Sequence, residues 1–317
     1  MSTQMSAAAK PRILVFGTTG QVGHALHTAL AEAGEVIALS RAQADFSTPA
    51  ALHEIVMQAA PNVIINAVAY TAVDQAEREP ELAMQINAQA PAVLAQAALQ
   101  QNAWLIHYST DYVFDGSKPA PYIQTDPTAP INQYGHSKLA GEQAIQESGC
   151  KHLILRTSWV YSAQGQNFLK IIAKRAQELP ELRIVNDQYG APTSAALLAT
   201  STAQLIQQLM ASDDQNDGQS DEQSVSGLYH LAAAGETNWY DYAVEILRQL
   251  AQHRPTAQLA TLTPVPGSAY VTIAQRPNNS RLSTEKIRKV FGLTLPDWQH
   301  AVNDCMCTLY GDNHMQQ

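Results

Sequence analysis

The sequence predicts an α/β fold, a doubly wound parallel sheet with a smaller C-terminal lobe, and three observations carry the prediction. An apolar run, Ile13-Leu14-Val15-Phe16, opens directly into the glycine-rich turn Gly17-Thr18-Thr19-Gly20-Gln21-Val22-Gly23, after which Ala25, Leu26, Ala29 and Leu30 recur at helical spacing. Short apolar runs return at 36–39, 63–67, 104–108 and 153–156 between helical stretches, the alternation of a parallel sheet covered on both faces. Tyr134 and Lys138 then stand four residues apart on a helical pattern, downstream of a strand that closes in Ser109-Thr110.

Composition bounds the possibilities. A chain of 317 residues suggests two domains, and 45% hydrophobic with 15% charged residues is ordinary for a globular protein with a sizeable core. The formal net charge of -9 argues against nucleic acid as a partner, because phosphate-backbone binding needs a basic face. A small phosphorylated ligand stays open, since a few placed cations create a local positive field. No apolar run approaches the ~18 residues that span a bilayer, so no membrane partner is expected. Residues 1–10 lack the apolar centre of a secretory signal and read as a disordered tail of a cytoplasmic protein. Cys150, Cys305 and Cys307 cannot build a disulfide framework, and no Cys/His cluster has zinc-ligand spacing, so no metal is expected.

Taken in order, the first strand, glycine turn and helix form the opening of a Rossmann-type fold. Its glycines let the backbone approach a pyrophosphate, and the helix N-terminus offers unpaired N–H groups to it. The candidate contacts are Gly17, Thr19, Gly20, Gln21, Val22 and Gly23; the competing reading is a tight turn without ligand. The second strand ends in Ser40-Arg41, where an NAD-binding protein would place a carboxylate for the ribose 2′-hydroxyl. A hydroxyl and a guanidinium suit a 2′-phosphate instead, which favours NADPH, with NADH the alternative and Arg41 as a solvated loop residue the competing reading. Asp45 and Phe46 follow, near the adenine or in an ordinary helix-capping turn. The third strand runs out into Ala67, Val68 and Ala69, small and apolar where a cofactor would cross the sheet edge. A long helical pattern then reaches about residue 101; Asn87 inside it is either structural or the anchor of a water in a proton relay.

The fourth strand delivers Ser109 and Thr110 to the same edge. Lys138 lies one helical turn beyond Tyr134, so both project from one helix face, with Ala140 and Gly141 small enough for close packing. Such a set reduces a carbonyl: the phenol gives its proton to the oxygen as hydride reaches the carbon, Thr110 bonds the same oxygen, and Lys138 favours phenolate and binds the nicotinamide ribose. A free tyrosine titrates near ~10, so the cation is expected to bring it toward working pH. The competing reading is a Tyr and a Lys on a solvent-facing helix.

Longer stretches carry a resemblance. Residues 109–116 (STDYVFDG), 134–142 (YGHSKLAGE), 155–161 (LRTSWVY), 186–193 (NDQYGAPT), 227–231 (GLYHL), 239–243 (WYDYA) and 276–282 (RPNNSRL) closely resemble the dTDP-4-dehydrorhamnose reductases, which belong to the extended short-chain dehydrogenase/reductase superfamily. The resemblance runs from Ile13 to about Leu309. It implies reduction, with a nicotinamide cofactor, of the C4 keto group of dTDP-4-dehydro-L-rhamnose to dTDP-L-rhamnose, for cell-surface polysaccharide; with Ser40-Arg41 the expected reductant is NADPH. It assigns Tyr134 as general acid, Lys138 as its partner, Thr110 as the third catalytic hydroxyl, and Asp111 and Trp159 as sugar contacts. Two departures stand out: Ser40-Arg41 after the second strand, and His24-Ala25 where some members have an acidic residue linked to metal-bridged dimers. The expected assembly is a monomer or homodimer.

The remaining chain is expected to build the nucleotide-sugar lobe. Residues 11–165 form the NADP-binding domain, with segments at about 183–232 returning to it; 166–182 and 233–313 form the substrate lobe. Tyr112, Asn167, Gln188, Arg276 and Asn279 are further candidate substrate contacts, Arg276 because a planar guanidinium matches a diphosphate; pairing of Arg276 or Arg281 with surface carboxylates is the competing reading. Residues 211–226, rich in Asp, Gln, Ser and Gly, read as a mobile surface insertion, and 255–277, with four prolines, as loop with short extended pieces. Two other functions share these features: a non-catalytic NADP-binding regulatory subunit, and another nucleotide-sugar reductase, epimerase or dehydratase.

Overall fold

The computed structural model describes residues 10–213 and 225–311. The tail expected at 1–10 and the insertion expected at 211–226 lie outside the described residues, apart from residues 10, 211–213 and 225–226.

The first half alternates strand and helix as the apolar runs require. β1 (Arg12–Phe16), α1 (Gln21–Ala29), β2 (Glu35–Leu39), α2 (Ala50–Ala59) and β3 (Val63–Asn66) lead to α3 (Val73–Ala76), α4 (Pro80–Met84), a π-helical turn (Gln85–Gln89) and α5 (Ala90–Gln100). The single long helix expected to about residue 101 is therefore broken. Pro91 explains the widest defect: it has no N–H to give the Asn87 carbonyl, so the helix loosens into a π turn there. A Cβ on Gly141 would lie 2.1 Å from that carbonyl oxygen, so the helix carrying Gly141 packs directly on the defect.

β4 (Trp104–Thr110), α6 (Gln133–Glu147) and β5 (His152–Thr157) follow, then β6 (Val160–Tyr161), α7 (Phe168–Glu178), β7 (Glu181–Val185), β8 (Tyr189–Gly190), β9 (Thr193–Ser194), α8 (Ala195–Asp213) and β10 (Gly227–His230). β11 (Thr237–Asn238), α9 (Trp239–His253), β12 (Thr261–Val265), α10 (Glu285–Phe291) and α11 (Trp298–Tyr310) complete the chain. Asparagine side chains start three of these helices: Asn132 accepts from Gly135 N at 2.8 Å, Asn167 from Lys170 N at 3.1 Å and Asn238 from Asp241 N at 2.8 Å.

The main sheet has the order β10-β5-β4-β3-β1-β2, and every pairing in it is parallel. Alternate residues of each strand feed opposite cores. Ile13, Val15, Val63, Ile65 and Ile106 share one core with α1 and α8, and that core continues into α7, α9 and α11; Leu14, Phe16, Ile64, Leu105 and Ile154 face α2 and α5. Strand order reverses between β1 and β3, the place where sheets of this kind open a crevice at their C-terminal edge.

The later segments differ from expectation in one respect. Of residues 183–232, β10 does join the main sheet beside β5, and α8 packs on the same core as α1. β7, however, pairs in parallel with β12, outside the main sheet. The stretch at 255–277 thus holds a strand hidden by Pro264, which an edge strand tolerates. No helix among the described residues is long and apolar enough to cross a membrane.

Candidate active site

At the C-terminal end of β4 the chain turns sharply, and Thr110 makes the turn. Its Oγ1 accepts from Tyr112 N at 3.1 Å and donates to Asp111 Oδ1 at 2.9 Å. The start of α6 lies against this turn, because a Cβ on Gly135 would come within 2.2 Å of the Tyr112 carbonyl oxygen. Tyr134, one residue earlier, thereby meets the Thr110 hydroxyl and sets its ring edge-on to Tyr112 at 5.8 Å. Ser109, Thr110, Asp111, Tyr112 and Tyr134 line one cavity of about 330 Å³ with Gln21, Trp159, Asn167 and Trp239.

The electrostatics correct one expectation. Burial pushes the Tyr134 phenol up from its ordinary value, and the Asp111 charge pushes the same way, so the phenol is protonated at neutral pH. Lys138 does not pull it down. Its Nζ, buried, donates to the Tyr108 carbonyl at 2.7 Å and stands 3.0 Å from His107 Nε2. Burial pushes Lys138 itself down to about 8, against the pull of Glu142. Asp111 is pushed up to about 6 by burial, opposed by hydrogen bonds from Ser280 and Thr110, and its Oδ2 has no partner among the described residues.

Beneath the turn at Thr110 lies an ion pair. Glu142 takes Arg156 Nε at 2.9 Å and Nη2 at 2.6 Å, and Ser109 Oγ donates to the same carboxylate at 2.5 Å. The guanidinium lies 5.0 Å from the Phe114 ring centre. Asn87 resolves as structural: its Oδ1 accepts from Tyr70 N at 2.8 Å, and its Nδ2 donates to Ser137 Oγ at 2.9 Å and to the Tyr70 carbonyl at 3.1 Å.

A second cavity, again about 330 Å³, opens at the switch between β1 and β3. It gathers nine of the candidate cofactor residues, Gly17, Thr19, Gly20, Arg41, Asp45, Phe46, Ala67, Val68 and Ala69, with Tyr70, Thr71 and Ile86. Gly17 has φ +87°, and a Cβ there would come within about 3.0 Å of Ala67 and Val68, so only glycine keeps the cleft open. Gly20 precedes α1, whose first turn carries no acidic side chain and no side-chain cap. Its amides are therefore available to an anion. Arg41 is largely exposed, 3.7 Å from the Asp45 carboxylate. Asp45 also takes Ser47 N at 2.9 Å in a local turn ahead of α2, whose own N-cap, Pro49, has no side-chain cap. A pyrophosphate with a 2′-phosphate fits this donor set.

Four of the candidates lie elsewhere. Ser40 gives its N–H and hydroxyl to Gln43 Oε1. Gln21 faces the cavity of Thr110 and Tyr134, accepting from Asn167 Nδ2 at 2.8 Å. Val22 packs against the core. A Cβ on Gly23 would lie 2.1 Å from the Gly17 carbonyl oxygen, so that glycine serves the packing of α1 against the turn.

A third cavity, about 760 Å³, is lined by Tyr112, Phe168, Arg175, Arg183, Gln188, Trp239, Arg276 and Asn278 among others. Arg276 reaches it while paired to Asp74 at 2.7 Å, so surface-carboxylate pairing and cavity lining both hold. Asn279 does not face it: Nδ2 donates to the Lys118 and Ala120 carbonyls at 2.6 and 2.9 Å, and Oδ1 accepts from Arg281. Its neighbour Asn278 is the residue exposed to the cavity. Trp159, at the left-handed φ of +48°, stacks on Trp239 with ring centres 3.6 Å apart. Gly190 makes room, since a Cβ there would sit 2.6 Å from the Trp159 ring.

With this geometry in place, comparison with known proteins is decisive. The family model described as "RmlD substrate binding domain" matches residues 11–310. The dTDP-4-dehydrorhamnose reductase of Escherichia coli (strain K12) is 48% identical over 302 residues, covering 94% of this chain and 98% of that protein. The Burkholderia thailandensis protein of the same name is 44% identical over 297 residues, with 93% and 98% covered. The chain belongs to the dTDP-4-dehydrorhamnose reductase family. A solved member from Bacillus anthracis, in complex with NADP, superposes with a TM-score of 0.84 at 32% identity, covering 94% and 99% of the two chains. The Thermus thermophilus UDP-glucose 4-epimerase, at 19% identity and a TM-score of 0.74, shares the fold.

Several residues of this reductase-family site escaped the sequence reading. Trp239, Phe168, Arg175 and Arg183 reach the larger cavity from segments with ordinary helical or strand patterns. The sequence offered one signal, the aromatic pair Trp239-Tyr240 directly after a helix-capping asparagine. Arg156 and Glu142 stand in the recognised stretches, yet nothing local marks them as a buried pair. Among the described residues no group of three or more His, Cys, Asp or Glu side chains could hold a metal ion.

Proposed function

We propose that the chain reduces the C4 keto group of dTDP-4-dehydro-L-rhamnose to dTDP-L-rhamnose, with NADPH as reductant and Tyr134 as proton donor. The observation that carries this reading is the protonated, half-buried Tyr134 phenol meeting Thr110 in a cavity beside the glycine-lined cleft. NADPH supplies the hydride when bound. Gly17, Thr19, Gly20 and the free amides of α1 would hold its pyrophosphate, Ala67 to Ala69 its ring edge, and Arg41 its 2′-phosphate.

The chain's own residues do the rest. A phenol held above its ordinary pKa keeps its proton until an oxygen of greater basicity develops beside it, which is what a ketone becomes on reduction. Thr110, fixed by Asp111 and Tyr112, orients that oxygen. Lys138 replenishes the phenol. Trp159, stacked on Trp239, and Asn167 would border the sugar, while Tyr112, Gln188 and Arg276 extend toward the nucleotide and diphosphate. On this reading 11–165 with α8 and β10 binds the cofactor, and 166–182 with 233–313 binds the sugar nucleotide.

The test is to mix the protein with NADPH and a panel of dTDP-4-keto sugars and follow cofactor absorbance. Oxidation with dTDP-4-dehydro-L-rhamnose is expected. NADPH binding without oxidation by any sugar would overturn the reading in favour of a regulatory NADP-binding subunit.

A further inference from the structure

β4 carries one more titratable group at the site, and the reaction as described makes no use of it. His107 is wholly buried, and both ring nitrogens face nitrogen: Nδ1 is 3.0 Å from Asn66 Nδ2, and Nε2 is 3.0 Å from Lys138 Nζ. A neutral imidazole has one N–H and one lone pair, so it can satisfy one donor and no more. The orientation of Asn66 settles which. Its Oδ1 accepts from Val68 N at 3.0 Å, so turning the amide over would set two N–H groups against each other. Nδ2 therefore points its hydrogen at His107 Nδ1, Nδ1 accepts, and the ring proton sits on Nε2.

That proton faces Lys138. An ammonium has only donors to offer, whereas an amine has a lone pair for the Nε2–H; the Tyr108 carbonyl accepts from either form. A doubly protonated ring is no escape, because burial and the Lys138 charge hold His107 well below its ordinary value. We propose that His107 is a positioning residue of the reaction: fixed by Asn66 in its Nε2–H tautomer, it favours Lys138 as the amine and so makes Lys138 a ready proton donor toward Tyr134.

The groups facing Lys138 are few. α6 contributes Glu142, which favours the ammonium although its carboxylate is committed to Arg156 of β5 and Ser109 of β4, and Tyr134 lies one helical turn earlier on α6. β4 contributes His107 and the Tyr108 carbonyl, and β3 acts through Asn66. The proton balance is simple. When Tyr134 has given its proton to the carbonyl oxygen, an N–H bond of the Lys138 ammonium breaks and an O–H bond forms at the phenolate, one helical turn away on α6. The amine left behind accepts from His107 Nε2–H until solvent returns one proton, the proton that each reduction consumes.

This inference rests on Tyr134 and Lys138 being the catalytic pair, so its test is chosen to stand apart from turnover. In the ¹⁵N-histidine-labelled protein, with His107 assigned by comparison with the His107→Gln variant, long-range ¹H–¹⁵N correlations should show the proton on Nε2. A proton on Nδ1 would overturn the inference and leave the catalytic reading intact; full turnover in Lys138→Met beside an Nε2–H ring would instead overturn the catalytic reading, and the positioning role with it. Asn66→Asp should draw the proton to Nδ1, turn Nε2 into an acceptor for the ammonium, and move the alkaline limb of the kcat–pH profile upward by about one unit or more. An Nε2–H tautomer retained in folded Asn66→Asp, or an unmoved limb, also overturns it. If that variant does not fold, the wild-type spectrum decides alone.

Discussion

Replacing Glu142 by alanine takes away more than a hydrogen bond. The carboxylate accepts from Arg156 Nε and Nη2 at 2.9 and 2.6 Å and from Ser109 Oγ at 2.5 Å, and the two ionic side chains are only 1% and 3% exposed. Arg156 has nothing to replace it: Nη1 already lacks a partner among the described residues, and Phe114 offers a ring face alone. A buried charge stripped of its counter-ion costs about 3–5 kcal/mol. The exposed Lys174–Glu178 pair, at 3.8 Å, should be worth about 0–1 kcal/mol. Guanidinium unfolding of Glu142→Ala and Lys174→Ala separates the two, with midpoint shifts read at constant slope. A loss below about 1 kcal/mol in Glu142→Ala would refute the view that this pair anchors the end of β4.

Other outcomes follow from the same geometry. Arg41→Ala should raise the KM for NADPH by about 10- to 100-fold, the worth of a charge-assisted hydrogen bond of about 1.5–3 kcal/mol, and leave that for NADH nearly unchanged; equal effects on both would remove Arg41 from cofactor choice. Burial holds His230 down to about 3, below an unfolded value of ~6.5. Its contribution to stability is therefore full above about pH 6.5 and is lost as pH falls toward 3, at about 1.4 kcal/mol per pH unit. His107 acts in the same sense, while Asp111, pushed up to about 6, opposes it between about pH 6 and 4. His230→Asn, which keeps a donor for the Tyr122 carbonyl, should flatten the acid slope by about one proton; an unchanged slope contradicts the assignment. Gly141→Ala should cost about 1–3 kcal/mol through overpacking against the π turn, and a raised melting temperature would contradict that contact.

The sequence carried the main sheet because each of its strands is a short apolar run between helical patterns, a signal contained within ten residues. β12 was missed for the opposite reason. Pro264 masks it, and its partner β7 lies about eighty residues away. The break at Gln85–Gln89 was equally hidden, since Pro91 is acceptable near a helix start and only Gly141, fifty residues on, shows what the defect receives. The placement of Thr110 at a strand end and of Tyr134 and Lys138 on one helix was legible because strand end and helix turn fix it locally. The ionisation of Tyr134 was not, because it depends on burial and on Lys138 being held by His107 and the Tyr108 carbonyl. Asn278 and Asn279 make the point most simply: two adjacent identical residues, one facing the cavity and one tied to three backbone or side-chain partners. Only the bridging of Tyr189 to Asn279 and the carbonyls of Lys118 and Ala120 distinguishes them.

The central claim is that Tyr134 gives the proton while the neighbouring cleft holds the reductant. Turnover of Tyr134→Phe with NADPH and dTDP-4-dehydro-L-rhamnose, set beside NADPH affinity in the same variant, tests both halves at once. The account predicts turnover lowered by about 10²- to 10⁴-fold with affinity largely kept. Wild-type turnover in Tyr134→Phe would contradict it.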